Sequence, residues 1–335
     1  MKEKLNYLLN VSKMYESIIE QTSNDCLKRF LAFKIILCFM SFEDLIKSRN
    51  NKAYRDIRNI FLAHQQNGEF FDAFYASDQI TKIKISSTIS EMENHLGGDF
   101  VKVNEILDAN LNNDILSLSK GVLGEYHKEF HEGYRLSNNF LFSGGDQIKE
   151  ISSNPIASSF YRYNSSKELS IFANFFITNF INYNLSDLML RSFKIDYILH
   201  AVNMWDTVFK DNNNRYSIDG LYEIVKKGNI GSIQALDSVR SDTDMLNTYK
   251  KLRLLRNKLS GHMDNKIALN TLFTKLDAFD INRAYEFVNV LDKAVWETAN
   301  THITMKFRYH SNLKLKDENI IGIAGIKNRS YHDNG

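Results

Sequence analysis

Apolar side chains recur at steps of three and four residues along most of the chain, which is the period of an amphipathic α-helix. The pattern is clearest over residues 2–22 and 25–48 and predicts a helical hairpin there. A third helix is predicted over residues 52–66. A fourth is predicted within 99–132, with an interruption near Leu111–Asp114, where two Asn and an Asp follow one another.

The second part of the chain repeats this order of segments. Residues 169–183 and 185–210 predict another helical pair, 245–262 predict a third helix and 281–300 predict a closing helix. One Pro and 15 Gly in 335 residues leave few positions that break a helix. The sequence therefore predicts a mostly α-helical protein with two similar halves.

The chain is long enough for two domains. We expect a helical domain over 1–142, a linker over 143–165 that holds the only Pro, and a second helical domain over 166–305. An insertion at about 211–244 accounts for the greater length of the second half. Residues 306–335 form a tail to which the sequence gives no role.

Other local patterns limit the fold and the cell compartment. Polar and β-branched residues alternate over Thr81–Thr88, which predicts a short strand. The apolar run Phe30–Met40 is interrupted by Lys34 and is too short to span a membrane. The first residues lack the features of a secretory signal, and Cys26 and Cys38 are the only cysteines. We therefore expect a cytoplasmic protein without disulfide bonds.

One polar signature occurs twice in the chain. Both copies read Arg-x-x-Arg-Asn-x-x-x-x-His, and their residues are Arg55, Arg58, Asn59 and His64 in the first and Arg253, Arg256, Asn257 and His262 in the second. Arg carries a permanent charge on a planar donor fork that suits phosphate, and His takes and gives protons near neutral pH. The repeated signature predicts phosphodiester chemistry.

This signature resembles that of the HEPN superfamily, small helical domains in which an Arg, a polar residue (often Asn) and a His follow at this spacing. Many members are metal-independent ribonucleases of toxin–antitoxin, abortive-infection and CRISPR systems, in which two domains meet and two motifs form one cleft. The resemblance implies two HEPN-like helical-bundle halves that form an internal pseudo-dimer. It also implies an endoribonuclease acting in toxin or antiviral defence.

The resemblance assigns roles to the central residues of both motifs. Arg58 and Arg256 would hold phosphate, while His64 and His262 would act as base and acid, in an order that the sequence leaves open. The nucleophile is the 2′-hydroxyl of the RNA, so the reaction needs a base, an acid and cations. No metal or cofactor is expected.

The remaining motif residues would support this chemistry. Asn59 and Asn257 would orient a neighbouring group or the phosphate. Arg55 and Arg253 lie three residues before the central arginines, close enough on a helix to extend the RNA-binding rim. The whole chain has 42 basic and 40 acidic residues, so any basic surface that binds RNA must be local.

Three predictions concern residues outside the motifs. Asp44 and Asp206, late in the second helix of each half, are candidates to pair with motif arginines, as acidic residues there do in HEPN relatives. His200 lies on an apolar segment and is predicted to be a buried, hydrogen-bonded histidine. His127 and His131 share one helix face at a spacing that could bind a metal, although no third ligand is evident.

Two alternatives to cleavage stay open. The chain could be a HEPN-like protein that binds RNA or a nucleotide without cutting it, or the repeat could be purely architectural. Proton transfer by the two histidines separates cleavage from binding, because binding can rely on Arg alone. An antitoxin or defence-system partner and a homo-oligomer are compatible with the resemblance, and no membrane partner is expected.

Overall fold

The computed structural model describes residues 1–22, 25–48, 51–62, 82–97, 109–118, 155–209, 220–228, 233–261, 263 and 267–300. Within these ranges the chain forms twelve α-helices and two π-helices, and no strand. The α-helices are α1 (Lys2–Gln21), α2 (Asp25–Ile46), α3 (Lys52–Asp56), α4 (Lys82–Leu96), α5 (Ala109–Leu118), α6 (Pro155–Asn179), α7 (Asp187–Val208), α8 (Leu221–Gly228), α9 (Gln234–Ser241), α10 (Thr243–Arg256), α11 (Leu269–Asp277) and α12 (Ile281–Asn300). The π-helices are π1 (Ile57–Leu62), which continues α3, and π2 (Asn257–Gly261), which continues α10. The predicted mostly α-helical fold is confirmed.

In the first half of the chain, α1 and α2 pack side by side as the predicted helical hairpin. Leu8, Val11, Tyr15 and Ile18 follow at helical spacing along α1 and are buried. Helix α4 packs against both members of the hairpin, and π1 packs against α2. The first motif therefore packs against α2.

In the second half, α7 is the central helix. It is buried on most of its circumference because α6, α10, α11 and α12 all pack around it. Helix α10, which carries the second motif, begins at a side-chain cap: the Asp242 carboxylate accepts from the backbone N–H groups of Asp244 and Met245 at 2.8 and 3.0 Å. The second motif thus packs against α7, as the first packs against α2.

Helices α6 and α7 pack side by side as a second hairpin, and the two hairpins touch each other. Helix α1 packs against α7, and α2 packs against α6 and π2. Aromatic rings fill part of this contact: the Phe30 ring stacks with those of Phe172 and Phe193, at centroid distances of 5.4 and 6.3 Å. The described elements of the two halves therefore share one apolar core.

The predicted strand at Thr81–Thr88 is wrong, because Lys82–Leu96 forms helix α4. Ile85, Ile89 and Met92 are buried at steps of four and three residues, which places them on one helix face. The helix extends over fifteen residues, whereas the alternation covers only eight. The longer pattern decides the local structure.

The predicted interruption near Leu111–Asp114 is also wrong, since helix α5 runs through it. The polar side chains there bond to other parts of the fold instead of breaking the helix. Asn112 accepts from the Thr22 hydroxyl at 2.8 Å, and Asp114 accepts from the Tyr183 hydroxyl. Tertiary contacts therefore override the weak helix propensity of Asn and Asp.

The domain boundaries predicted from the sequence stay predictions, although some of their residues are described. Residues 155–165 of the expected linker lie in α6, and the expected insertion at 211–244 holds α8 and α9. The tail at 306–335 lies outside the described residues. No helix within the described ranges combines the length and the apolar character that crossing a bilayer requires.

Candidate functional site

Each motif lies where an α-helix passes into a π-helix. Arg55 is on α3, and Arg58 and Asn59 are on π1. Arg253 and Arg256 end α10, and Asn257 begins π2. Single π-turns are rare in proteins, and many of those that do occur lie at functional sites. They move side chains away from the directions of a regular helix. The described chain places both of its π-helices at the two motifs.

Arg58 is buried, with 2% of its surface exposed. Its Nε donates to Oδ1 of Asn59 at 2.9 Å, and its Nη1 donates to Oδ2 of Asp44 at 2.6 Å. Asp44 lies near the end of α2. Two neighbours thus fix the plane of this guanidinium.

Arg256 repeats this arrangement in the second half. It is 5% exposed, its Nε donates to Oδ1 of Asn257 at 3.1 Å, and its Nη1 donates to Oδ2 of Asp206 at 3.3 Å. Asp206 lies near the end of α7. The predicted pairing of Asp44 and Asp206 with motif arginines is confirmed.

The outer arginines differ between the two motifs. Arg55 donates through Nη1 to Asp44 at 2.9 Å and through Nη2 to Glu43 at 3.1 Å and to the carbonyl of Ser48 at 3.3 Å. Burial raises the pKa of the Glu43 carboxyl, and the Arg55 cation opposes that rise. The Arg253 guanidinium instead lies 5.9 Å from the centre of the Tyr249 ring. Arg55 therefore belongs to a carboxylate network, and Arg253 has an aromatic neighbour.

Tyr249 and Trp205 complete the second motif, and the sequence analysis missed both. The Tyr249 hydroxyl donates to Oδ1 of Asp206 at 2.6 Å, and its ring stacks on Trp205 at 5.0 Å. A sequence signal did exist: Tyr249 lies seven residues before Arg256, so both side chains are on one face of α10. Glu43 was missed in the first motif, although it directly precedes Asp44.

The second motif lies close to helices of both halves. Segment π2 packs against α7, which supplies Asp206, and against α2, which supplies Asp44 to the first motif. His64 and His262 lie outside the described residues, as do His127 and His131. In the part of the chain that is described, no three His, Cys, Asp or Glu side chains come together to form a metal site.

Comparison of the chain with protein families, with curated proteins and with solved structures found no match. The resemblance to the HEPN superfamily therefore rests on the two motifs and on the helices that carry them.

Proposed function

We propose that this chain is a metal-independent endoribonuclease of HEPN type, with one composite site formed by its two motifs and a role in toxin or antiviral defence. The observation that carries the proposal is the duplicated network around the central arginines. Arg58 and Arg256 are each bonded through Nε to the next Asn and through Nη1 to an Asp of the preceding long helix. An arrangement repeated atom for atom supports a shared task for the two motifs.

The network suits the charge that develops during phosphodiester cleavage. Cations held in place before the reaction stabilise the transition state without further reorganisation. The Asn and Asp partners fix each guanidinium plane, so both cations are oriented before a phosphate binds. In this role Asn59 and Asn257 are positioning residues that orient the neighbouring arginine.

The proposed reaction uses groups of the RNA and of the two motifs alone. One of His64 and His262 takes the proton of the 2′-hydroxyl, whose oxygen then attacks the adjacent phosphorus. The bond from phosphorus to the 5′-oxygen breaks, and the other His gives its proton to that oxygen. The products are a 2′,3′-cyclic phosphate and a 5′-hydroxyl.

The first test is cleavage of single-stranded RNA by the purified protein in EDTA. We expect products that end in 2′,3′-cyclic phosphate or in its hydrolysis product, because the 2′-hydroxyl is the nucleophile. DNA of the same sequence is the control and should stay intact. Cleavage of that DNA, or an absolute need for a divalent metal, would contradict the proposal. RNA that is bound and left uncut would support the alternative, a HEPN-like binding protein.

The same assay tests whether the two motifs form one site. His64→Ala and His262→Ala should each remove most of the activity, and the double variant should be little worse, because groups that act as a unit are not additive. Two independent sites would leave each single variant about half of the rate. Melting curves of all three variants separate lost chemistry from lost folding.

A further inference from the structure

Helices α2 and α7 occupy equivalent places in the two halves, because Asp44 and Asp206 hold the equivalent arginines Arg58 and Arg256. Counting back ten positions from each aspartate reaches Lys34 on α2 and Asp196 on α7. These two residues touch: Nζ of Lys34 lies 3.2 Å from Oδ1 of Asp196. Both are buried, with 1% and 7% of their surface exposed.

Neighbouring side chains satisfy this buried ion pair. Lys34 Nζ lies 2.6 Å from Nε2 of His200, and the Tyr15 hydroxyl donates to Oδ2 of Asp196 at 3.1 Å. The position in α2 that corresponds to His200 is Cys38, six residues before the aspartate in each helix. Burial raises the pKa of Cys38 to about 12, and the Asp196 carboxylate adds to the rise. Lys34 therefore lies near His200, which is four positions after Asp196. In the same way, Asp196 lies near Cys38, which is four positions after Lys34.

A contact between equivalent positions of two similar halves must lie on the approximate two-fold axis that relates them. In a dimer of two identical halves, a residue at that place meets its own copy. Two copies of the first half would bring Lys34 against Lys34, and two copies of the second would bring Asp196 against Asp196. Burying two like charges together is strongly unfavourable.

We infer that the ion pair between Lys34 and Asp196 makes the first half associate with the second half and prevents it from associating with a second copy of itself. The surrounding apolar contact discriminates less, because stacked rings such as those of Phe30 and Phe193 carry no charge. The inference rests on the two-half arrangement proposed above. It is independent of RNA cleavage.

The test uses two full-length variants, Lys34→Asp and Asp196→Lys, each with its own affinity tag. Alone, each variant should melt roughly 10 °C or more below the wild type, because a like-charged pair is buried. When they are co-expressed, exchange of halves between the two chains restores an ion pair at both contacts. We expect a one-to-one complex of twice the monomer mass, recovered through either tag and more stable than either variant.

A matched control separates a contact between halves from one within a half. Lys167 and Asp292 also form a buried ion pair, at 2.7 Å, but they belong to α6 and α12 of the same half. Exchange of halves cannot restore that pair, so co-expressed Lys167→Asp and Asp292→Lys should give no complex. Equal recovery from both combinations, or from neither, would overturn the inference.

A single chain that carries both Lys34→Asp and Asp196→Lys provides the second measurement. It should be a monomer and should recover at least half of the melting temperature lost by the single variants, because the cation and the anion have only exchanged places. Additive losses would show that the two charges do not recognise each other across the halves. Mass and stability are the only readouts, so a protein that does not cleave RNA leaves this result unaffected.

Discussion

At the scale of single residues, Asp44 and Asp206 each accept hydrogen bonds on both carboxylate oxygens. Oδ2 accepts from the central motif arginine in both halves. Oδ1 accepts from a guanidinium nitrogen of Arg55 in the first half and from the hydroxyl of Tyr249 in the second. A cation and a neutral phenol thus fill the same place.

Tyr249→Phe tests whether this hydroxyl positions Arg256. The ring stays against Trp205, but the hydrogen bond to the partly buried Asp206 carboxylate is lost, so we expect the free energy of unfolding to fall by about 1.5–3 kcal/mol. RNA cleavage should fall as well, because Asp206 is then free to rotate away from Arg256. Denaturant titration and the cleavage rate are the two measurements.

Tyr222→Phe is the control for this variant. Its hydroxyl donates to Asp237 at 2.6 Å, the same type of bond, between α8 and α9 and outside the motif network. Because Asp237 is exposed, its loss should cost about 0.5–1.5 kcal/mol and leave the cleavage rate unchanged. Equal loss of cleavage in the two variants would mean that Tyr249 acts through stability alone.

At the scale of elements, the end of α2 shapes the first motif. Ser48 N–H donates to the carbonyl of Glu43 at 2.9 Å, and Lys47 N–H donates to that of Asp44 at 3.3 Å, which is the Schellman pattern of helix termination. This pattern needs a left-handed residue, and Lys47 has φ of 60°. The turn directs the Ser48 carbonyl towards Arg55.

Lys47→Gly should stabilise the protein. Glycine adopts the left-handed conformation without a steric penalty, so we expect the free energy of unfolding to rise by about 1 kcal/mol. Asn184, with φ of 50°, serves as the comparison. Asn184→Gly should gain less, because Asn tolerates this region better than Lys does. A lower melting temperature for Lys47→Gly would show that the Lys side chain itself stabilises the turn.

The sequence predicts these elements well where one helix face is buried over many residues. The closing helix at 281–300 is an example, and it matches α12 at both ends. The alternation of Thr81–Thr88 predicts a strand in place of helix α4 because it contains no information on the partner face, which α1 and α2 provide. Contacts between distant segments cannot be read from local periodicity.

The candidate site was predictable to a similar degree. The pairing of Asp44 and Asp206 followed from a repeated order of helices and residues. Tyr249 and Glu43 did not follow, because the other half has residues of a different chemical type in their places. Arg55 takes the place of Tyr249 in the first half, and Trp205 precedes Asp206 where Glu43 precedes Asp44. The π-helices were also missed, since hydrophobic periodicity does not distinguish one wider turn from an α-helix.

At the scale of the whole molecule, a buried polar cluster lies between the hairpins. His200 is fully buried and bonded to Lys34, which confirms the prediction of a buried, hydrogen-bonded histidine. Burial, and then the nearby Lys34 cation, hold the pKa of His200 well below its ordinary value. Asp196 on α7 and Tyr15 on α1 complete the surroundings of this pair.

This depressed pKa makes stability depend on pH. His200 stays neutral in the folded protein, whereas the unfolded chain binds a proton there near pH 6.5. The unfolded state therefore holds more protons in mild acid. The contribution of His200 to the free energy of unfolding should fall as the pH drops from about 6.5 to 5, by up to about 1.4 kcal/mol per unit.

His200→Gln, which keeps an acceptor for Lys34, should reduce that slope in denaturant titrations at several pH values. His95→Gln, at an exposed histidine of α4, is the control for the removal of a histidine. An unchanged slope in His200→Gln would show that other groups cause the acid sensitivity.

The π-helices affect how this chain is to be aligned with other proteins. A π-turn closes its hydrogen bonds over five residues, so it holds about one residue more than an α-helix along the same path. Alignment with a protein whose motif helix is regular needs a one-residue gap within Ile57–Leu62 and another within Asn257–Gly261. Without those gaps, every later position is compared with a neighbour turned by about 100° around the axis. Two residues at the same spacing after the central Arg, one in π1 and one in a regular helix, then point in different directions.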